Sequence, residues 1–300
     1  MKAKTVNAII CKKFDSFVSS IKDPEVARLV KDNSIVTGGC IVSLLLGDKV
    51  NDFDFYFRNE ETTFAVAKYY AAAYVAANPN WQVEAKNNEG RITFSVYSSK
   101  NVSTAGEAPK SEEETSVEES MRAFEDADDI PAEALDSAEG EKIQGAQYAP
   151  VFLSSNAISL SSKVQLIIRF YGEPDQVHEN YDFVHATNYW TSWERKVTMR
   201  PAAMEAILSK ELRYIGSKYP ICSMIRVRKF VGRGWTINAG QFVKMAWQVS
   251  ELDLTNIEVL KDQLVGVDST YFMQMISELK EKDSSSVEGT YLMTLIDKLF

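Results

Sequence analysis

The sequence predicts an α+β fold, in which a small mixed or antiparallel sheet with helices is followed by an all-α domain. Segments with strand character occur on both sides of residues 101–148, a stretch rich in Asp and Glu and poor in aromatic residues. This composition is typical of disorder, so we expect an acidic insertion that interrupts one sheet domain. From about Arg200 the pattern becomes helical. We therefore expect a sheet domain at residues 1–100 and 149–197 and a helical domain at residues 198–300.

Local signals predict the elements in chain order. Residues 5–31 have a helical pattern, and Asp23–Pro24 marks a helix start because Pro is favoured at the first helical position. The spacing of apolar residues predicts the remaining helices and strands, and glycines and turn residues mark their ends. Before the insertion these are a strand at Ile35–Thr37, a helix at 40–46 ended by Gly47, a strand at Phe53–Phe57, a helix from Thr62 to Ala77 and strands near Trp81–Lys86 and Arg91–Tyr97. After it come strands at Asn156–Leu160 and Lys163–Phe170, then helical stretches from Arg200, Ile221 and Ala239.

Charge is distributed unevenly along the chain. The formal net charge is −9, but residues 101–150 alone carry −11, so the remaining residues are slightly basic. Net charge therefore does not exclude a nucleic-acid partner. Three separated cysteines without a secretion signal predict a reduced, cytoplasmic protein, and the absence of a long apolar run predicts no membrane partner. The presence of only two histidines, His178 and His185, and of no cysteine pair argues against a structural zinc site.

The strongest chemical motif is TGGCIVSLLLGDKVNDFDFYF, from Thr37 to Phe57. Gly38 and Gly39 allow close approach of the backbone to a ligand, and amides at a helix N-terminus favour phosphates. Asp52 and Asp54 are two residues apart on a strand, so their carboxylates face the same side. Paired carboxylates suit Mg²⁺, which binds one or two carboxylates together with substrate phosphates. Two such ions would hold the attacking hydroxyl and the leaving pyrophosphate in an in-line displacement.

This motif resembles the active-site signature of the polymerase-β-like nucleotidyltransferase superfamily. Within it, the motif is most similar to tRNA CCA-adding enzymes and bacterial poly(A) polymerases, whose pattern runs Gly-Gly-x-Val-Arg-Asp-Leu-Leu-Leu-Gly and then Asp-x-Asp. Val42 and Ser43 replace the Arg and Asp that help to hold the incoming nucleotide in that family. The residues in the same register are Gly38, Gly39, Leu44, Leu45, Leu46, Gly47, Asp52 and Asp54.

The helical part carries a second resemblance. Pro220 to Phe230, followed by Gly234-Trp-Thr-Ile237, is similar to a Pro-x-x-x-Leu-Arg-x-x-Arg-Phe stretch and Gly-Phe-x-Ile in that family. On a helix Arg226, Lys229 and Arg233 would form one basic stripe. The resemblance implies that this stripe contacts the triphosphate or an RNA backbone; salt bridging to acidic segments is the alternative. The Glu-Asp-x-x-Arg motif that reads the base in the family is absent.

Two further groups of residues leave alternatives open. Tyr181-Asp182-Phe183 is a weaker echo of the family's Arg-Asp-Phe, and Asp182 is either a third metal ligand or a capping residue. Tyr189, Trp190 and Trp193 either stack on bases or pack in a core.

The resemblance implies a fold and an activity. The sheet would be a nucleotidyltransferase domain with Asp52 and Asp54 as catalytic, Mg²⁺-holding residues, and Gly38 and Gly39 would cradle an NTP. The reaction would transfer NMP to a hydroxyl, with an RNA 3′ end as acceptor, as in tRNA processing. The combination is also similar to divergent nucleotidyltransferase-like proteins of bacterial viruses, which would act in the host cytoplasm.

Two alternatives to that activity remain open at this point. One is a viral binding or structural module that keeps the fold without turnover, and the other is a toxin-like nucleotidyltransferase acting on protein or a small molecule. The acidic insertion would be a flexible solvated segment, or would cover a basic groove or recruit a protein partner.

Overall fold

A computed structural model describes residues 1–98, 147–154 and 156–256, together with residues 259 and 263. The predicted acidic insertion, apart from residues 147 and 148, lies outside the described residues. The chain divides into two units: Met1–His178 with Ala186–Arg200, and Glu179–His185 with Pro201–Phe300. Within the described residues, we find no helix that is both long and apolar enough to span a membrane.

The first unit contains a mixed seven-stranded sheet and five α-helices among the described residues. The helices are α1 (Ala3–Ser20), α2 (Pro24–Asn33), α3 (Gly39–Leu46), α4 (Glu60–Ala77) and α5 (Pro174–His178). The sheet strands are β1 (Ser34–Thr37), β2 (Phe53–Phe57), β5 (Pro150–Leu153), β6 (Ala157–Leu160), β7 (Val164–Tyr171), β8 (Tyr189–Thr191) and β9 (Lys196–Thr198). Strand order is β5-β6-β7-β2-β1-β8-β9, in which β2 and β7 pair in parallel and all other neighbours are antiparallel. A separate hairpin is formed by β3 (Trp81–Asn88) and β4 (Arg91–Ser98).

Local sequence explains where these elements begin and end. The Asp23 side chain caps α2 by accepting hydrogen bonds from the backbone N–H groups of Glu25 and Val26, at 2.8 and 3.1 Å. Asn59 caps α4 in the same way. Gly47 ends α3 with a left-handed φ of 83°, a conformation that favours glycine.

The core of the first unit lies on one face of the sheet. Phe55 of β2 is fully buried, and its ring centroid lies 5.1 Å from that of Phe17 in α1. Trp190 of β8, also fully buried, lies 4.9 Å from Phe14. Of the two alternatives for Trp190, packing is therefore correct. Because alternate strand residues face opposite sides, the polar residues between these apolar ones lie on the other face.

The second unit is mostly helical among its described residues, with α6 (Pro201–Ser209), α7 (Pro220–Gly232) and α8 (Ala239–Ser250). One short parallel ladder interrupts the predicted all-α pattern, formed by β10 (Glu211–Leu212) and β11 (Thr236–Ile237). The predicted helix from Arg200 stops at Ser209 because Lys210 has a φ of 49° and its carbonyl accepts the backbone N–H of Thr236. The α+β class is confirmed.

Candidate active site

Strand register brings the glycines and the aspartates to the same end of the sheet. Thr37, the last residue of β1, pairs with Asp54 of the antiparallel β2. The Gly38–Gly39 turn after β1 and Asp52 before β2 therefore lie together. We call this the Gly–Asp end of the sheet, defined by Gly38, Gly39, Asp52 and Asp54.

The two glycines have different conformations. Gly38 has a φ of 89° and a ψ of −151°, a region that essentially only glycine occupies. Its N–H donates to the carbonyl of Ala186 at 3.2 Å. Gly39 starts α3, and a Cβ placed on it would meet no atom of the other described elements within 4 Å. The first turn of α3 thus has open space in front of its backbone. The backbone N–H groups of this turn have no intrahelical partner.

Asp52 is exposed and Asp54 is half-buried, and the flanking Phe53 and Phe55 belong to the core. Burial raises the pKa of Asp54 well above its usual range, and the charge of Asp52 raises it further. The pKa of the buried Cys40 thiol is also raised, first by burial and then by the charges of Asp54 and Asp52. Asp52 and Asp54 repel each other when both are charged, and a bound cation would stabilise their charged forms.

The donor set fits Mg²⁺ better than a metal that requires an all-protein cage. Among the described residues there is no group of three or more His, Cys, Asp and Glu side chains that could hold a metal. Mg²⁺ binds through one or two carboxylates together with waters and substrate phosphates. On the neighbouring β7 the residue in register with Asp54 is Gln165, which supplies an amide rather than a third carboxylate.

A buried hydrogen-bond chain lies behind the glycine turn, and no local pattern in the sequence indicates it. The Thr37 hydroxyl is 2.8 Å from His178 Nε2 and donates to the carbonyl of Asn188 at 2.9 Å. Because that hydroxyl has one proton, His178 Nε2 carries a proton and donates to it. Burial, and then the charge of Arg200, lowers the pKa of His178 to about 4, so the imidazole is neutral at pH 7.

The remaining predicted site residues belong to the second unit. Asp182 is buried and forms an ion pair with Arg226 of α7. Lys229 is an exposed residue of α7, and Arg233 is the exposed residue that caps its C-terminal end. The structure thus brings Asp182 and Arg226 together. Nucleotide contact by Arg226, Lys229 and Arg233, and metal binding by Asp182, stay predictions.

The other aromatic candidates have local partners. The Arg58 guanidinium lies 4.8 Å from the ring centroid of Trp193, and that of Arg200 lies 5.3 Å from Tyr189. In the second unit, the buried His185 packs against Trp235, with ring centroids 4.4 Å apart.

The first unit is therefore of the α+β class, with a glycine turn and two carboxylates at one end of a mixed sheet. The chain belongs to the Gabija anti-defense 2 family, whose family model matches residues 8–210. A relative described as "Gabija anti-defense 2" from Bacillus phage SPbetaL7 is 21% identical over 123 residues, which cover 40% of this chain and 31% of that protein. The match thus spans less than a third of this relative's length.

Solved structures of tRNA-processing proteins are also similar. The Thermotoga maritima CCA-adding enzyme complexed with tRNA is 12% identical, with a TM-score of 0.41, over 87% of this chain and 53% of that one. A tRNA-processing enzyme in an apo form is 12% identical, with a TM-score of 0.41, over 92% of this chain and 59% of that one. The chain spans somewhat more than half the length of each.

Proposed function

We propose that this chain is a phage-encoded anti-defence protein that catalyses metal-dependent transfer of NMP from an NTP to a hydroxyl group. The observation that carries the proposal is the Thr37–Asp54 pairing, which brings Asp54 and the nearby Asp52 beside a glycine turn at a helix start. The family name supports the anti-defence role. The resemblance of residues 37–57 to the nucleotidyltransferase signature supports the chemistry.

Each residue of this site has a separate role in the proposal. Asp52 and Asp54 would hold Mg²⁺, which when bound neutralises phosphate charge and orients the reacting oxygens. Gly38 and Gly39 place the backbone of the turn close to the triphosphate, and the amides of the first turn of α3 donate to it. The neutral His178 holds Thr37 in place. Positioning and electrostatic stabilisation are the main requirements of phosphoryl transfer, so no histidine base is needed.

For the acceptor, we propose an RNA 3′ end, because the motif is most similar to that of RNA-extending enzymes. Val42 and Ser43 replace the family's Arg and Asp, and the base-reading motif is absent, so the proposal includes no preferred base. The site of action would be the cytoplasm of the infected cell. Within the second unit, Arg226, Lys229 and Arg233 are proposed to bind phosphate, and Asp182 is proposed to bind a metal ion.

The test compares three single variants, Asp52→Asn, Asp54→Asn and Asp48→Asn. Asp48 is an exposed aspartate on the same connecting segment and serves as the matched control. Each protein is incubated with labelled NTPs, Mg²⁺ and RNA, protein or sugar acceptors. Phage growth is measured in cells with and without the Gabija system.

We expect label incorporation into RNA by the wild type and D48N, and a loss of at least a hundredfold in D52N and D54N. Loss of anti-defence in the same two variants would connect the chemistry with the biological role. Full anti-defence by D52N and D54N would refute a catalytic role and favour a binding module. Label on protein or sugar instead of RNA would refute the proposed acceptor.

A further inference from the structure

Strand directions bring Arg200 to the Gly–Asp end of the sheet. Tyr189, the first residue of β8, pairs with Thr37, the last residue of β1. In the next strand Thr198, the last residue of β9, pairs with Tyr189. Arg200 follows Thr198 by two residues, so the chain leaves β9 at the same end at which the glycine turn leaves β1.

The register also places Tyr189 on the face that carries Asp54. Residues opposite each other on neighbouring strands share a face, and Asp54, Thr37 and Tyr189 form one continuous row across β2, β1 and β8. Two strand spacings separate Asp54 from Tyr189, which is roughly 10 Å between their Cα atoms. A substrate that binds at the aspartates and extends along the sheet could therefore reach the Arg200 side chain beside Tyr189.

The Arg200 guanidinium is held in position by aromatic and backbone contacts. It lies 5.3 Å from the centroid of the Tyr189 ring, where an arginine interacts with the π face. The backbone N–H of Arg200 donates to Asn188 Oδ1 at 2.8 Å, which fixes the chain after β9. The backbone carbonyl of Asn188 also accepts a hydrogen bond from the Thr37 hydroxyl. Asn188 is therefore hydrogen-bonded both to Arg200 and to the residue that precedes the glycine turn.

The acidic partner of Arg200 is almost fully exposed. Arg200 forms an ion pair with Asp175, whose side chain is 84% exposed, whereas that of Arg200 is 31% exposed. Exposed ion pairs contribute little free energy, about 0–1 kcal/mol. An incoming anion of higher charge can therefore replace Asp175 while the guanidinium keeps its contact with Tyr189.

We propose that Arg200, supported by Tyr189, binds the triphosphate of the NTP. The inference rests on the proposed function, since the NTP is the substrate whose phosphates would lie at the Gly–Asp end. The guanidinium offers several donors in a planar arrangement that matches phosphate oxygens. It also supplies positive charge at the same end of the sheet as Asp52 and Asp54, which would repel a polyphosphate.

Arg195 provides a matched control in the same hairpin. It lies between β8 and β9, at the end of the sheet opposite to Arg200, because Thr191 pairs with Ile35. Asp15 binds its guanidinium through two hydrogen bonds of 2.9 and 2.8 Å. Arg195 thus has a similar ion pair and no connection with the glycine turn.

The experiment measures binding of ATP and of inorganic tripolyphosphate to the full chain in Mg²⁺, without any acceptor. We expect Arg200→Gln to weaken both affinities by roughly tenfold to a hundredfold, the effect of one hydrogen-bonded charge. Arg200→Lys should retain part of the affinity, and Arg195→Gln should bind as the wild type does. Asp175→Asn should bind about twofold to tenfold more tightly, because a competing carboxylate is removed.

The outcomes separate this inference from the proposed activity. If no acceptor is ever labelled but the wild type binds ATP and R200Q does not, the Arg200 site stands and nucleotidyl transfer fails. Unchanged binding in R200Q, weaker binding in D175N or no triphosphate binding by the wild type would overturn the inference. It would also be overturned if R200Q lost affinity for single-stranded RNA but kept its affinity for ATP. The gain in D175N keeps the inference testable even if R200Q is poorly folded.

Discussion

The two glycines of the turn should respond to the same substitution in opposite ways. Gly38 occupies a backbone region that is closed to other residues, so Gly38→Ala must move the turn or store about 1–3 kcal/mol of strain. For a unit of this size, that strain lowers the melting temperature by roughly 2–12 °C. Gly39 is helical and has open space at its Cβ position, so Gly39→Ala should be neutral or stabilise by up to about 1 kcal/mol.

In G39A the affinity for ATP should fall although the stability of the protein does not. Because no described residue fills the space in front of Gly39, an alanine methyl there would occupy the volume into which a phosphate would enter. We therefore expect G39A to melt at or above the wild-type temperature but to bind ATP roughly tenfold more weakly, the equivalent of one hydrogen bond to a charged group.

Thermal melting and ATP titration in Mg²⁺, carried out on the wild type, G38A and G39A, test these two expectations. A G39A protein that is clearly destabilised would mean that the fold, and not a ligand, requires glycine at this position. A stable G39A protein with wild-type affinity for ATP would refute close approach of the phosphate to the turn. Wild-type stability of G38A would contradict the argument from backbone conformation.

Two other predictions concern the first unit. Phe55→Ala should lower the free energy of unfolding by about 3–5 kcal/mol, because the fully buried ring packs against Phe14 and Phe17, and urea unfolding would measure the loss. His178 has its pKa lowered to about 4, so the unfolded chain takes up this proton first as pH falls. The contribution of His178 to the free energy of unfolding should be constant above pH 6.5 and then fall towards pH 4, by on the order of 3 kcal/mol. In His178→Gln, which keeps a donor for Thr37, this acid-dependent loss should shrink; an unchanged pH profile of melting temperature would show that His178 is not its source.

Strong local patterns made part of the fold predictable. β2 lies at Phe53–Phe57 as expected, because apolar and polar residues alternate there, and Gly47 ends α3 as expected. β8 and β9 have three residues each, too few for any periodicity to appear, and were not predicted. The end of α6 was missed as well, since the conformation of Lys210 depends on a partner strand that lies 26 residues further along the chain.

The candidate site likewise contains residues that the sequence predicts and residues that it does not. Its glycines and aspartates lie within seventeen residues of each other, so their spacing was visible in the sequence. His178 and Arg200 are distant from the motif along the chain. His178 reaches it through its hydrogen bond with Thr37, and Arg200 through the pairing of β1 with β8 and of β8 with β9. No local property distinguishes Arg200 from Arg195, although the two lie at opposite ends of one hairpin. The distinction requires the strand directions, which no local sequence pattern supplies.

The fold and the proposed chemistry constrain each other through β2. A shift of one residue in its register would turn Asp54 into the core and Phe55 onto the open face. Pairing with β7 is regular from Phe53 to Phe55, and the irregularity in this ladder comes only between Phe55 and Phe57. Burial of Phe55 between Phe14 and Phe17 therefore fixes the side on which the two carboxylates lie. The half-buried Asp54 destabilises the free protein while it is charged, and the phenylalanines beside it supply the burial that offsets this cost.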